Sequence, residues 1–433
     1  MAELQNGRIA GLQKGRPSFL QSFNPVLLHD CRLREATAVD AIDGVIPRVV
    51  VEPASAEALA AALAHAADER LSVVICGGGT KLGWGRSPKA VDAAVSTRRL
   101  SRVLAHPHGD LTATVEAGAT VRDVNAELSR HRQWLPIDVV DSQATIGGVL
   151  ATNDAGPLRH RHGTPRDLLI GIQLALTDGQ RVKAGGSVVK NVAGYDLGKL
   201  ICGSFGSLAA ITSATFKLAP RPAASATVVA AFRDSDALAR AAAAVNASQL
   251  EPAAFDCQLN WPLGTRRLML QFASTPPAVD AQAGAARELM AADSFDVVSG
   301  EDEAEQWRDH ARAAWAAPGV VVRASWLPAR LGDVLNALGE LAADTGSVHL
   351  AGRAGVGAGT VRLEADTSSA VEAIERLRAK PEIVGHLVVL RADREVKARV
   401  DVWGSLGDRT NLLGAVKQAL DPAGILNAGR GPI

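Results

Sequence analysis

Hydrophobic positions along this chain recur at two alternating spacings. Residues 48–51 read as a strand leading to Pro53, and residues 57–67 carry apolar side chains at helical spacing behind Ser55, a good N-cap. Residues 71–76 then read as a buried strand that ends at Gly77-Gly78-Gly79. This is a β-α-β unit with a glycine-rich loop at the carboxyl end of a strand, where ligands commonly bind in α/β folds. Further on, residues 111–117 alternate as a strand and residues 121–130 are helical. Residues 170–176 and Arg181-Val182 make a hairpin across Asp178-Gly179. A strand over 208–218 ends at Pro220-Arg221-Pro222, the clearest linker in the chain.

Beyond that linker the texture changes. Residues 226–232 predict a strand and residues 236–245 an alanine-rich helix, and two more strand–helix alternations follow to about residue 400. This reads as a separate α+β domain. An amphipathic helix over 411–420 stops at Asp421-Pro422-Ala423-Gly424. Residues 1–45 read as an irregular extension. The expected division is an extension over 1–45, a first domain over 46–220, a second over 221–405, and a C-terminal segment over 406–433.

Composition narrows the function classes. A length of 433 residues fits two or three domains with large cores. Formal net charge is zero and 21% of residues are charged, which argues against a nucleic-acid-binding face as the main function. Cys31, Cys76, Cys202 and Cys257 are far apart and no CxxC occurs, so no zinc or iron–sulfur ligand set is predicted. A reducing cytoplasm fits such cysteine usage. The N-terminus shows no secretory signal, and no run of about 18 apolar residues predicts a membrane span. A cytoplasmic location is expected, with membrane association only through a partner.

Four motifs carry candidate chemistry. In Cys76-Gly77-Gly78-Gly79-Thr80-Lys81, three glycines leave backbone N–H groups accessible and Thr80 adds a hydroxyl. A concave set of amides suits a phosphate or pyrophosphate. Neither GxxxxGK[ST] nor GxGxxG is present, and a tight strand-to-loop turn is the alternative. In Ala144-Thr145-Ile146-Gly147-Gly148-Val149-Leu150-Ala151-Thr152-Asn153, the polar side chains of Thr145, Thr152 and Asn153 suit a heterocycle or a sugar. A helix start with a small-residue packing face explains the same residues. Arg159-His160-Arg161-His162-Gly163-Thr164-Pro165-Arg166-Asp167 can neutralise an anion or form a solvated loop. With Asp154 and Asp167 nearby its histidines complete no metal-ligand spacing, so no metal is expected. The fourth, Gly185-Gly186-Ser187-Val188-Val189-Lys190-Asn191-Val192-Ala193-Gly194-Tyr195-Asp196, holds the only tyrosine and precedes Gly203-Ser204-Phe205-Gly206-Ser207-Leu208. Two such turns suggest backbone approaching a ligand closely, or a pair of ordinary loops.

In this order, within about 140 residues, the motifs resemble the FAD-binding oxidoreductases of the vanillyl-alcohol-oxidase (PCMH) type over about residues 46–220. Within that group the chain is similar to the FAD-binding E subunits of bacterial glycolate oxidases. The similarity extends to Asp421-Pro422-Ala423-Gly424-Ile425-Leu426-Asn427 and to Leu387-Val388-Val389-Leu390-Arg391-Ala392 leading to Val400-Asp401-Val402-Trp403-Gly404. The resemblance implies an α+β protein: a PCMH-type FAD-binding domain of two α/β subdomains, an α+β cap, and a C-terminal tail returning to the FAD domain. It implies that Gly77, Gly78, Gly79, Thr80 and Lys81 hold the FAD pyrophosphate. Ala144, Thr145, Gly147, Gly148, Ala151, Thr152 and Asn153 would line the flavin side. Gly163 and Asp167 would form an inner loop, Gly206 and Ile211 would meet the adenine end through backbone, and Tyr195 would stand near the flavin.

It also implies oxidation of glycolate, a 2-hydroxy acid, to glyoxylate, in a complex with a second FAD subunit and an iron–sulfur subunit. Two departures shape that expectation. Flavoproteins of this type often attach FAD through a histidine in the first glycine loop, but here the loop reads Gly79-Thr80-Lys81, so non-covalent FAD is expected. FAD-linked D-2-hydroxyacid dehydrogenases carry a histidine-containing metal site in the cap, whereas the comparable stretch from Gly352 to Thr360 has no histidine. His349 and His386 are the nearest. The alternatives are a stand-alone D-2-hydroxyacid (D-lactate-like) dehydrogenase and a non-catalytic subunit that retains FAD. Gripping a carboxylate and taking a hydroxyl proton need a cation and a base. Arg323, Arg353, Arg391 and His386 are candidates in the cap, and each also fits a salt bridge or a packing role.

Overall fold

A computed structural model describes residues 30–187 and 194–432. The first half of the chain builds two sheets. Strands Cys31–Glu35, Val49–Pro53, Ala93–Ser96 and Val73–Cys76 lie in that order, parallel except for the antiparallel edge strand Cys31–Glu35. The edge strand corrects the reading of residues 1–45 as irregular. Cys31 and Leu33 pack on the core while Arg34 bonds Asp40 at 2.6 Å and Glu52 at 3.3 Å. The alternation is too short to stand out in sequence. Helix Ala56–Asp68 buries Leu59, Ala62, Leu63 and Ala66 against this sheet, and Ser55 caps it by accepting from the Ala58 amide at 3.1 Å.

The second sheet is antiparallel, in the order Val103–Ala105, Thr112–Glu116, Ala210–Lys217, Leu169–Ala175, Arg181–Gly185. Helices Val121–Leu128 and Ile146–Thr152 pack their apolar residues on it.

Residues 224–391 form one eight-stranded antiparallel sheet. It holds more strands than two simple strand–helix alternations predict. Hairpins join Ala254–Trp261 to Thr265–Ser274 and Ser347–Arg353 to Ala358–Glu364 without intervening helices. Side chains alternate strictly between its faces. Val228, Phe255, Cys257, Leu259, Leu270, Val322, Leu350 and Val361 lie under helices Ser235–Asn246, Pro276–Met290, Leu331–Thr345 and Thr367–Arg378. Each fully buried Leu or Val there contributes about 1.5–3 kcal/mol, against about 0–1 kcal/mol for an exposed ion pair. The helix-covered face therefore carries stability, and the other face is free to be polar. Alternation puts Thr227, Asp256, Gln271, Arg323, His349, Arg353 and Thr360 on that second face.

Part of the polar face is covered by helix Gly300–Ala313. Its Glu303 accepts from Thr227 Oγ1 at 2.8 Å and Gln271 Nε2 at 3.0 Å, and His310 Nε2 meets Asp256 Oδ2 at 2.7 Å. The chain then returns to the first half. Helix Arg409–Leu420 sets Val416 and Leu420 against the core of the second sheet. Leu426 pairs parallel with Val73, with hydrogen bonds from Val73 N to Ile425 O (2.9 Å) and from Asn427 N to Val73 O (2.8 Å).

Candidate functional site

The glycine loop after strand Val73–Cys76 opens into a cleft. Its walls come from Gly77, Gly78, Gly79, Thr80 and Lys81; from Thr145, Gly147, Gly148, Ala151 and Thr152; from Gly206 and Ile211; and from Asn427 and Arg430 of the returning tail. Residues from four distant parts of the chain thus meet around one space.

Close packing explains the glycines. A Cβ on Gly77 would come within 2.1 Å of Thr145 Oγ1, and one on Gly78 within 1.8 Å of the Gln143 carbonyl oxygen. Gly79 has φ +82°, which favours glycine. The backbone amides of residues 77–81 donate to no other group among the described residues. They form a run of five donors at a cleft wall, the donor chemistry that phosphate oxygens need. Thr145 Oγ1 is buried beside them without a hydrogen-bond partner, a donor and acceptor for a polar ligand edge.

The structure separates the remaining sequence-predicted residues from this lining. Ala144 is buried behind it, with its carbonyl accepting from the Val121 amide. Asn153 closes helix Ile146–Thr152 in the left-handed region at φ 45°, and its Oδ1 accepts from the Arg166 amide at 3.3 Å. Gly163, at φ +78°, packs on Asp167, whose carboxylate accepts from the amide and hydroxyl of Thr164 at 2.7 Å each. Tyr195 is not among the residues lining the cleft and is 93% exposed. Residues 188–193 of its motif are outside the described residues.

A second cavity lies next to the first, between the two halves of the chain, where Lys81 and Trp84 of the first lining meet Asp154 and Trp315 of the second. The wall they share is a charged and aromatic layer. Lys81 Nζ lies 3.3 Å from Asp154 Oδ2, and Arg323 Nη2 lies 3.2 Å from Asp154 Oδ1. Trp84 stacks on Trp315 at 5.5 Å, with the Arg323 guanidinium 5.3 Å over the Trp84 ring. Arg159, Arg323 and Arg353 all line the second cavity, with Asp138 and Asp154. Burial, then the neighbouring Arg353 and Arg323, hold the Arg159 guanidinium below its ordinary value. Burial likewise lowers Arg323, against the pull of Asp154. Arg353 also pairs with the buried Asp256, its Nε 3.7 Å from Oδ2, so three arginines meet Asp138, Asp154 and Asp256 around this cavity.

The basic motif is thus split between roles. Arg159 enters the cavity, His160 packs edge-on against Phe255, and His162 packs against Trp134. Of the cap candidates, Arg323 and Arg353 reach the cavity, while Arg391 donates to the carbonyls of Trp315, Ala317 and Gly319 and so pins a turn. His386 begins the outermost strand, His386–Arg391. Sequence reasoning missed Asp138, Asp154, Trp84 and Trp315 as wall residues. The only signal was alternation, which could have placed Arg323 and Arg353 on one face. Burial pushes all four thiols up, to about 11 for Cys31 and Cys76 and about 12 for Cys202 and Cys257, so none is a thiolate at neutral pH. Among the described residues no group of three or more His, Cys, Asp or Glu side chains is placed to hold a metal, and no helix is long and apolar enough to cross a membrane.

The first half of the chain thus carries a PCMH-type FAD-binding domain. Residues 47–185 match the family described as FAD binding domain, and FAD is the cofactor. The chain is 30% identical over 212 residues to glycolate oxidase subunit GlcD of Bacillus subtilis, covering 49% of this chain and 45% of that protein. It is 33% identical over 171 residues to glycolate oxidase subunit GlcE of Escherichia coli, covering 39% and 48%. It is 34% identical over 173 residues to D-lactate dehydrogenase of Archaeoglobus fulgidus, covering 40% and 39%. The matched region thus spans less than half the length of these relatives. Among solved structures, an alkyldihydroxyacetonephosphate synthase superposes with a TM-score of 0.69 over 96% of this chain and 86% of its own, at 16% identity, a likeness of fold.

Proposed function

We propose that this chain is the FAD-binding subunit of a glycolate-oxidase-type dehydrogenase that oxidises a 2-hydroxy acid, glycolate in the first instance, to the 2-oxo acid. The reading rests above all on the three arginines, Arg159, Arg323 and Arg353, gathered in a cavity that shares a wall with the FAD cleft. The amides of residues 77–81 hold the FAD pyrophosphate. Thr145, Gly147, Gly148, Ala151 and Thr152 border the flavin side, and Gly206 and Ile211 the adenine end. Ala144, Asn153, Gly163 and Asp167 hold those segments in place from behind. When bound, oxidised FAD supplies the two-electron acceptor for a C–H bond next to a hydroxyl group.

The chain's own residues do the rest. Arg323 and Arg353 grip the substrate carboxylate by charge-assisted hydrogen bonds. The Asp154 carboxylate holds Arg323 in place, and the Trp84–Trp315 stack keeps water from the shared wall. Two arginines positioned for an acid also favour a chain that binds substrate over one that only retains the fold. An assembly with a second FAD subunit and an iron–sulfur subunit, and a cytoplasmic location, belong to the same reading. It is supported by the likeness to two glycolate oxidase subunits.

Arg323→Met tests the grip. It removes one cation and keeps the stem against Trp84. The expected result is retained flavin with a KM for glycolate or D-lactate raised at least about 30-fold, since truncating a half-buried, hydrogen-bonded charge that meets the substrate costs about 2 kcal/mol or more. Anaerobic mixing of the flavin-loaded chain with each acid, alone and with its partner subunits, reads the flavin spectrum. An unchanged KM in the variant, or a flavin untouched by both acids in every combination, contradicts the proposal.

A further inference from the structure

The arginine-lined cavity holds one carboxylate that the grip does not use. Asp138 lies on its wall, in the segment just before the Thr145 turn, together with Arg159, Arg323 and Arg353. One of its oxygens is pinned: Oδ2 accepts from the Leu158 amide at 2.6 Å. Gly156 makes room for that position, because a Cβ there would stand 2.9 Å from Oδ2 and 2.4 Å from the Asp138 Cβ. The other oxygen makes no hydrogen bond among the described residues, and it is not sealed from the cavity. We propose that Asp138 Oδ1 takes the hydroxyl proton of the 2-hydroxy acid bound by Arg323 and Arg353.

This role rests on the function proposed above. In the balanced step the substrate O–H bond breaks and its proton passes to Asp138. Bound oxidised FAD would accept the C–H electron pair as hydride, which leaves the carbinol carbon as a carbonyl and balances the electrons. The neighbouring charges suit the task. Burial pushes the Asp138 carboxyl up to about 7, opposed by the Leu158 amide and Arg353 and reinforced by Asp256 and Asp154. The strand Ala254–Trp261 contributes Asp256, which His310 faces at 2.7 Å, and the strand Ser347–Arg353 contributes Arg353. A base with its midpoint near the working pH is efficient in both accepting and releasing a proton. Asp154 is the other carboxylate in the cavity, but Lys81 and Arg323 occupy both its oxygens.

The sign of the linkage follows. Bringing an anion beside an ionised Asp138 raises its proton affinity, so binding takes up a proton above about pH 7 and is pH-independent well below it. The test uses the flavin-loaded chain, with its partner subunits if they are needed for turnover, and oxalate as an unreactive probe. Calorimetry in two buffers of different ionisation heat is expected to read up to one proton taken up per chain near pH 8 in the wild type and none in Asp138→Asn. The asparagine keeps an acceptor for the Leu158 amide, and flavin content reports its folding. Anaerobic flavin reduction by glycolate or D-lactate is expected to fall by a factor of about 10²–10⁴ in Asp138→Asn and to lose its rise with pH, the range a general base supplies. A wild type that binds oxalate without proton uptake overturns the role whatever the variant does. So does an Asp138→Asn chain reduced within a few-fold of the wild-type rate. A wild type that holds FAD but is reduced by no 2-hydroxy acid overturns the proposed function, and this role with it.

Discussion

Gly78→Val is expected to leave the chain without flavin. The introduced Cβ would lie 1.8 Å from the Gln143 carbonyl oxygen and 2.8 Å from its carbonyl carbon. Both are backbone atoms, so no rotamer change relieves the contact. The Gln143 amide donates to Asp141 Oδ1 at 2.8 Å and Thr145 bridges to Thr120, so any shift of Gln143 disturbs its turn and the Thr145 wall with it. The clash therefore opens the run of amides over 77–81. Overpacking of this kind costs about 3 kcal/mol, and a loss of that size weakens FAD affinity about a hundredfold or more. Gly79→Ala is a graded control. Its Cβ would meet only Leu82 Cδ1, at 3.9 Å, so its cost is the left-handed φ of +82° alone, about 1–2 kcal/mol. Fluorescence titration with FAD should rank wild type first, Gly79→Ala second and Gly78→Val last. Equal affinities for the two variants would remove the steric account of the loop.

The second large effect lies in the tail. Asp421 is 1% exposed and accepts from the amides of Ile425 (3.2 Å) and Leu426 (2.9 Å) and from Lys417 Nζ. Lys417 also donates to the carbonyls of Ser207 (2.7 Å) and Leu426 (3.0 Å). This joint ties helix Arg409–Leu420 to the segment that pairs with Val73 and sets Asn427 and Arg430 in the cleft wall. Asp421→Ala strands a half-buried ammonium and two amides, a loss of about 3–5 kcal/mol. Urea unfolding should show it directly, and FAD affinity should fall with it. The double variant Lys417→Met, Asp421→Ala should recover part of the loss, because it removes both members of the ion pair. No recovery would mean that the amide caps, and not the ion pair, carry the joint.

What was legible in the sequence was what the backbone demands locally. The glycines at 77–79 mark a loop that only small residues can form, so the cleft could be located before the fold was known. The paired glycines at 147 and 148 were equally open to a helix start, and the structure joins both readings: helix Ile146–Thr152 begins there and turns its small residues to the cleft. The charged wall was not legible. Lys81 and Asp154 are far apart in the chain, and only folding brings them to 3.3 Å. Arg353 and Asp256 sit at ordinary alternating positions in strands, and nothing local separates a solvated strand face from one covered by another part of the chain. Asp138 in Pro136-Ile137-Asp138 carries no motif at all, and its burial is a property of its neighbours.

The most direct test of the account joins the two cavities in one measurement. The purified chain is saturated with FAD, freed of excess cofactor, combined with its partner subunits where these exist, and titrated without oxygen with glycolate and with D-lactate. One FAD per chain is expected to remain through gel filtration, and its visible band is expected to bleach with one of the acids and not in Arg323→Met at the same concentration. A chain that retains no FAD, or a variant that bleaches like the wild type, would contradict it.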